Sequence, residues 1–208
     1  MLPTSRTPLT TYMITSAGAE VDILAAVSRA LRLGVDLVQL RRPGASARAL
    51  QALVERCARL EPRARERLLV NDRLDVALAS GIAGVHLPAT GLPVAAVRRR
   101  APAGFRIGVS THTGEEVRRA AEEGASFVVF GPVFPTSSKP GHPGLGLDAL
   151  ASAARSSPIP VFALGGVAPE RLADIVAAGA SGVAGISSFE DESRLVSLLS
   201  WTRGRAVS

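Results

Sequence analysis

The stretch Ala120-Ala-Glu-Glu-Gly-Ala-Ser-Phe-Val-Val-Phe130 passes from a helical pattern to a short apolar run across one glycine. Gly124 suits the left-handed position that ends a helix, and the run Phe127–Phe130 is rich in residues that favour strands. The same order recurs at Leu33-Gly34-Val35-Asp36 and at Ala178-Gly179-Ala180-Ser181. Repeated helix–glycine–strand units predict a chain that alternates the two kinds of element.

Short apolar runs recur along the whole chain, and segments with helical spacing separate them. We place eight strands at Tyr12–Ile14, Leu37–Leu40, Leu68–Val70, Gly84–His86, Phe105–Val109, Phe127–Phe130, Pro160–Ala163 and Gly182–Gly185. Eight strand–helix units predict a parallel α/β fold, a TIM (β/α)8 barrel that forms a single domain over residues 1–208. An open doubly wound sheet is the alternative, because strand counts from one sequence are imprecise.

The composition limits the classes of protein to which this chain can belong. It is 47% hydrophobic and 20% charged, enough for one sizeable core, and it has no apolar run near the ~20 residues that span a bilayer. Residues 1–10 lack the apolar core of a signal peptide, so we expect a cytoplasmic protein. The net charge is +6, but aromatic side chains make up only 4%, which favours small anionic substrates over nucleic acid.

Polar residues gather directly after the predicted strands. In a barrel of this kind, the loops that follow the strands form the active site. Residues two apart in an extended strand point to the same side, as Gln39 and Arg41 do. We therefore predict a binding site at one rim of the barrel. Its polar strand-end residues are Gln39, Arg41, Asn71, Asp72, Ser110 and His112.

The segment Gly131–Gly141 contains Lys139, the only lysine of the chain, together with short hydroxyl side chains. An ammonium group and hydroxyl donors suit the oxygens of a phosphate. The loops after the seventh and eighth strands of such a barrel commonly bind phosphate as well, through backbone N–H groups. A surface loop without a ligand is the alternative. The predicted phosphate site consists of Thr136, Ser138, Lys139, Gly165, Gly166, Ile186 and Ser187.

Seven motifs, in order across nearly the whole chain, resemble the thiamine phosphate synthase/TenI family. They are Val38–Arg41, Val70–Arg73, Gly84–Leu87, Ile107–Thr113, Gly131–Lys139, Leu164–Val167 and Gly182–Ser187. The resemblance implies a TIM barrel of thiamine biosynthesis, in one of two main branches. The synthase branch joins hydroxymethylpyrimidine diphosphate to thiazole phosphate and releases diphosphate with Mg²⁺. The TenI-type branch aromatises a thiazole phosphate carboxylate tautomer without a metal.

Two loops depart from the synthase pattern that the resemblance implies. Arg42-Pro43 stands where synthases carry a lysine, and His86-Leu-Pro-Ala-Thr-Gly91 lacks an acidic residue that helps to hold Mg²⁺. Asp72 would remain the lone carboxylate for the metal. His-Leu-Pro resembles the TenI-type branch, although Pro132 stands where that branch has its catalytic histidine. We therefore expect a thiazole tautomerase, an isomerase without a cofactor.

An aromatising isomerisation needs a group that titrates near neutral pH, and histidine fits best. We expect His112 to transfer the proton beside Ser110, with His142 of the strand 6 loop as a further candidate. An arginine at the rim would bind a substrate carboxylate, and neighbouring amides would fix the ring. These substrate-binding residues would be Gln39, Arg41 and Asn71.

Two alternatives to the tautomerase stay open. The first is a thiamine phosphate synthase with Mg²⁺ held by Asp72, and the second is a non-catalytic barrel that only binds a phosphate ligand. All three predict a small phosphorylated heterocyclic partner, with no role for nucleic acid or a membrane, and leave a homodimer open. The long segment Gly131–Leu145 is expected to become ordered when a ligand binds.

Overall fold

The computed structural model describes residues 9–204, so most of residues 1–10, where we expect no signal peptide, lies outside it. Its strands are β1 Thr10–Ile14, β2 Leu37–Leu40, β3 Leu68–Asn71, β4 Gly84–Leu87, β5 Arg106–Thr111, β6 Phe127–Phe130, β7 Val161–Leu164 and β8 Gly182–Gly185. Its helices are α1 Glu20–Leu33, α2 Ala47–Ala58, α3 Leu74–Ala79, α4 Val94–Arg98, α5 Gly114–Glu122, α6 Leu147–Ser156, α7 Leu172–Ala177, α8 Ser187–Glu190 and α9 Glu192–Gly204. None of these helices is both long and apolar enough to cross a membrane.

Each strand pairs in parallel with the next one along the chain, and β8 pairs with β1 to close a barrel. At the closure, Thr10 lies opposite Gly182 and Met13 lies opposite Gly185. Closure pairs every strand on both sides, which an open sheet does not do. The predicted TIM barrel is therefore confirmed, and the doubly wound sheet is excluded.

The predicted strands differ from the observed ones by no more than two residues at either end. For example, β5 continues to Thr111, because its backbone pairs with β6 as far as Thr111 and Phe130. The glycines expected to end helices have left-handed φ angles of 87° at Gly34, 94° at Gly124 and 90° at Gly179. The glycines in the sequence therefore predicted correctly where these helices end.

Alternate strand residues face two different cores. One core lies between the strands and the helices, and the other fills the barrel interior. Inside the barrel, the rings of Phe127 and Phe162 stack with centroids 4.8 Å apart, and Tyr12 meets Phe127 edge-on at 5.5 Å. Gly108 leaves room for this cluster, since a Cβ there would lie 2.5 Å from Cζ of Phe127. Above the aromatic side chains, the carboxyl ends of the strands border an open cavity.

Candidate active site

A cavity of about 490 Å³ lies at the carboxyl ends of the strands, where the loops of the barrel meet. It is lined by residues at or just after the carboxyl ends of the eight strands, as the barrel geometry predicts. Every catalytic or substrate-binding residue predicted from sequence contributes to this lining, apart from His142. Those residues are Gln39, Arg41, Asn71, Ser110, His112, Thr136, Ser138, Lys139, Gly165, Gly166, Ile186 and Ser187.

One side of the cavity is made of backbone N–H groups from the ends of β7 and β8. Gly165, Gly166 and Val167 follow β7, and Ile186 and Ser187 lead into α8. Within residues 9–204, none of these N–H groups donates to another group of the chain. Unpaired amides grouped at the start of a helix form a site suited to an anion. We name this part of the cavity, from residues 165–167 and 186–187, the amide corner.

The loop after β6 lies against the amide corner. The N–H of Val133 donates to Leu164 O at 2.7 Å, and the N–H of Phe134 donates to Gly165 O at 3.1 Å. These two bonds place the outer part of the loop, with Lys139, beside the glycines. The geometry brings together the lysine, the hydroxyls and the amides that the sequence placed in one phosphate site.

The opposite side of the cavity presents a pair of amide side chains. Nε2 of Gln39 donates to Oδ1 of Asn71 at 2.8 Å. Gln39 is only 2% exposed, yet its Oε1 has no hydrogen-bond partner within the described residues. A buried acceptor without a partner is costly unless a ligand supplies the donor. Oε1 of Gln39 and the amide N–H groups of Asn71 thus offer an acceptor and donors side by side.

A buried histidine connects the barrel interior to the cavity. Nδ1 of His86 lies 3.3 Å from the hydroxyl of Tyr12, and Nε2 lies 2.9 Å from Oγ of Ser110. Burial lowers the pKa of His86 to about 3, so the ring is neutral at ordinary pH. A neutral imidazole donates through one nitrogen and accepts through the other, which fixes the orientation of the Ser110 hydroxyl.

The two remaining histidines lie in different surroundings. His112 is exposed at the rim, and its Nδ1 donates to the carbonyl oxygen of Gly131 at 2.5 Å. His142 accepts a hydrogen bond at Nδ1 from the N–H of Gly144 at 3.0 Å. It does not contribute to the cavity lining, so the structure does not place it over a substrate. The roles predicted for both residues stay predictions.

Two positive side chains line the cavity on opposite walls. Arg41 follows β2 and Lys139 follows β6, four strands further around the ring. The neighbouring Arg42 is turned away, because it pairs with Glu20 at 2.9 Å. The cavity lining contains no Asp or Glu, and within the described residues neither cation is in an ion pair. Both ends of the cavity therefore suit anionic groups.

Asp72, the predicted metal ligand, is exposed at the end of β3 and stands outside the cavity lining. Its backbone has a left-handed φ of 63°, and its N–H donates to His86 O at 2.8 Å. No group of three or more His, Cys, Asp or Glu side chains suited to a metal occurs within residues 9–204. Mg²⁺ often takes only one or two carboxylates together with substrate phosphates, so Asp72 fits a site of that shared kind.

Sequence reasoning missed part of the site. His86 was not among the predicted site residues, yet it lines the cavity. The signal was present in the alternation of β4, where Gly84 and His86 share the inward face. Val167 was missed as well, because a backbone donor leaves no trace in the residue type.

Comparison with known proteins places the chain in a family. The family model described as thiamine monophosphate synthase matches residues 11–189. A putative thiamine-phosphate synthase of Geobacter sulfurreducens is 46% identical over 183 residues, covering 86% of this chain and 85% of that protein. A thiamine-phosphate synthase of Methanoculleus marisnigri is 42% identical over 160 residues, covering 76% of each. The solved thiamine phosphate pyrophosphorylase of Pyrococcus furiosus has a TM-score of 0.83 and 28% identity, over 96% of this chain and 98% of that one.

These relatives correct one expectation. The thiazole tautomerase expected from two loops is wrong, because relatives at 46% and 42% identity over most of the chain carry synthase names. The physical reason is that Pro43 and the residues after His86 are only a few loop positions, whereas the cavity keeps a cation on each of two opposite walls. A single carboxylate and the substrate's own oxygens can still hold Mg²⁺. The chain belongs to the thiamine monophosphate synthase family.

Proposed function

We propose that this protein is a thiamine-phosphate synthase, which joins hydroxymethylpyrimidine diphosphate to thiazole phosphate and releases diphosphate. The observation that carries this proposal is the pair of cations, Arg41 and Lys139, on opposite walls of one cavity without carboxylates. A reaction between two phosphorylated substrates needs two separate anion sites within reach of each other. The names of the relatives support the same reaction.

The amide corner with Lys139 would hold the monophosphate of the thiazole. Backbone N–H groups approach phosphate oxygens closely there, because Gly165 and Gly166 have no side chains. The hydroxyls of Thr136 and Ser138 add neutral donors beside the ammonium group. A phosphate monoester fits this set better than a carboxylate does, since it offers three oxygens to many donors.

Gln39 and Asn71 would hold the pyrimidine. An aminopyrimidine has ring nitrogens that accept hydrogen bonds and an exocyclic amino group that donates them. The free Oε1 of Gln39 would accept from the amino group, and Asn71 would donate to a ring nitrogen. This pairing would satisfy the buried acceptor that has no partner among the described residues.

The diphosphate would then lie towards Arg41 and Asp72. Arg41 can form a bidentate pair with phosphate oxygens, and its backbone is fixed by the bond from its N–H to Oγ1 of Thr15 at 2.9 Å. Asp72, directly after the cavity-lining Asn71, would be the carboxylate that holds Mg²⁺, which when bound would supply positive charge for the leaving diphosphate.

The chemical step would form a bond between the thiazole nitrogen and the methylene carbon of the pyrimidine. The bond from that carbon to the diphosphate oxygen breaks, and diphosphate leaves with the electron pair. The protein contributes positioning and donors for the leaving oxygens, a role that suits the Ser110 hydroxyl held by neutral His86.

The test uses one preparation of the full chain with both substrates and Mg²⁺. Thiamine phosphate and diphosphate should appear in equal amounts. Lys139→Ala should raise mainly the KM for thiazole phosphate, and Arg41→Gln mainly the KM for the pyrimidine substrate. Arg106→Gln is the matched control, because Arg106 begins β5 at the other end of the barrel. Binding of both substrates without any product would contradict the proposal and indicate a non-catalytic barrel.

A further inference from the structure

Arg171 ends the short turn Pro169–Arg171 and touches both loops of the predicted phosphate site from outside the cavity. The Nη1 group of Arg171 donates a hydrogen bond to Gly166 O at 2.8 Å. Its guanidinium carbon lies 4.5 Å from the centre of the Phe134 ring. No part of Arg171 lines the cavity, so it would act through the loops that it contacts.

The carbonyl oxygens of Leu164, Gly165 and Gly166 each accept a hydrogen bond from a residue that does not line the cavity. Leu164 O accepts from the N–H of Val133, and Gly165 O accepts from the N–H of Phe134. The next residue of that loop, residue 135, is proline and has no N–H to continue the series. Arg171 supplies the missing donor, so that Gly166 O is also held.

A trans peptide points its C=O and its N–H in opposite directions. Fixing the carbonyls of Leu164, Gly165 and Gly166 therefore turns the N–H groups of the next residues to the other side. Those residues are Gly165, Gly166 and Val167, which all line the cavity. The third of these amides depends on Arg171, because no backbone N–H among residues 9–204 donates to Gly166 O.

Gly166 is the point where the two loops meet. Gly166 has a left-handed φ of 63°. A Cβ at this position would lie 2.6 Å from Cβ of Phe134 and 2.9 Å from Nη1 of Arg171. The arginine thus packs against Gly166 on one side while its flat face covers Phe134. A guanidinium can make both contacts at once, since it is planar and donates within its plane.

We propose that Arg171 is a positioning residue for phosphate binding, which holds the Gly166–Val167 peptide so that its N–H faces the phosphate. It also holds the Phe134 loop, which carries Lys139, against the amide corner. This inference rests on the proposed function, because it takes the phosphate of the thiazole as the ligand of the corner. A charge-assisted bond is stronger than a neutral one, which suits an anchor at a single peptide.

The experiment compares the wild type with Arg171→Met, which keeps the apolar stem but removes the donor and the charge. Calorimetry measures the Kd for thiazole phosphate, and kinetics give the KM for each substrate. We expect Arg171→Met to raise the Kd and KM for thiazole phosphate by about 10-fold, with the pyrimidine KM changed by less than about 2-fold. Arg171→Lys should give a smaller rise, because it keeps the charge and one donor.

Arg106→Met is the matched control, since Arg106 lies far from the cavity and its Nη1 also donates to a backbone carbonyl. That carbonyl is Glu66 O, at 2.6 Å. Arg106→Met should leave both KM values unchanged. Phe134→Leu removes the ring contact with Arg171 but keeps an apolar side chain against the core, and it provides a second test if Arg171→Met does not fold. It should raise only the KM for thiazole phosphate.

The outcomes separate this inference from the proposed function. If the wild type binds no thiazole phosphate, both the proposed function and the role of Arg171 are wrong. If the wild type binds thiazole phosphate and Arg171→Met binds it equally well, only the role of Arg171 is wrong. The same conclusion follows from Phe134→Leu where Arg171→Met does not fold. Equal rises in the KM values of both substrates would also overturn it, because they would indicate general damage to the barrel.

Discussion

The buried side chain of Gln39 keeps one hydrogen-bond acceptor available for a ligand. Its side chain is buried, its Nε2 is paired with Asn71, and its Oε1 has no partner within the described residues. A buried unpaired acceptor costs about 1–3 kcal/mol of stability. That cost is consistent with a group kept for a ligand, since a protein selected only for stability would favour an apolar side chain here.

Gln39→Met should therefore weaken pyrimidine binding without unfolding the protein. We expect the free energy of unfolding to change by less than about 1 kcal/mol, because the unpaired oxygen and one hydrogen bond are lost together. The KM for the pyrimidine substrate should rise by about 10-fold or more. Urea titration and steady-state kinetics measure these quantities. Leu164→Met is the control at the cavity wall, and a large loss of stability with an unchanged KM would contradict this account.

His86 gives the protein a dependence of stability on pH. Burial lowers its pKa from an ordinary value of 6.5 to about 3, so the unfolded chain takes up the proton first as the pH falls. The stability that depends on neutral His86 is fully present above about pH 6.5 and is lost progressively between that pH and pH 3. Its slope approaches about 1.4 kcal/mol per pH unit.

His86→Gln should remove that part of the slope. Urea unfolding at several pH values between 4 and 7 measures it, at about one-unit steps. His142→Gln, in the loop outside the cavity, serves as the control and should keep the wild-type slope. If His86→Gln and the wild type lose stability in parallel, the ring is not held neutral by the fold.

At the scale of elements, the loop Gly131–Leu145 divides into a fixed base and an exposed tip. The base is held by the bonds of Val133 and Phe134 to the end of β7, and by the bond from the N–H of Leu145 to Pro132 O at 2.8 Å. In the tip, Ser138, Lys139 and their neighbours are exposed. Exposed backbone with few packing contacts opens readily, which suits a segment that closes over a substrate.

Hydrogen exchange should separate these two parts. Thiazole phosphate is expected to slow exchange at residues 136–142, whereas residues 133–134 should be protected already without it. Peptides from α2, which is remote from the cavity, are the internal control. The predicted ordering of the loop would be wrong if the tip exchanged at the same rate with and without the ligand.

The elements also show what a sequence can and cannot predict. Apolar runs and the glycines at 34, 124 and 179 predicted strands and helix ends, because both signals are local. The inward position of Arg41 followed from the two-residue period of a strand. The contact of Arg171 with Phe134 was not predictable, since it depends on how the loops after the paired strands β6 and β7 fold against each other, which residue types alone do not show. The tautomerase branch was predicted wrongly because it was inferred from two loops and not from the whole cavity lining.

At the scale of the whole molecule, pairing of β1 with β8 joins the start of the described chain to residues near its end. Every strand contributes apolar side chains to the outer core, and six of the eight also contribute to the interior core, so no strand can leave alone without exposing apolar surface. The single domain predicted for residues 1–208 would then unfold in one calorimetric transition. Two well-separated transitions would contradict it.

If the proposed function is right, one cavity holds a pyrimidine at its Gln39 side and a phosphate at the amide corner. A crystal structure of the protein with thiamine phosphate bound would locate both groups. We expect the pyrimidine amino group at Oε1 of Gln39 and the phosphate against Gly166, Val167 and Lys139. A phosphate bound at Arg41 instead, or a product bound outside the barrel mouth, would exclude this arrangement.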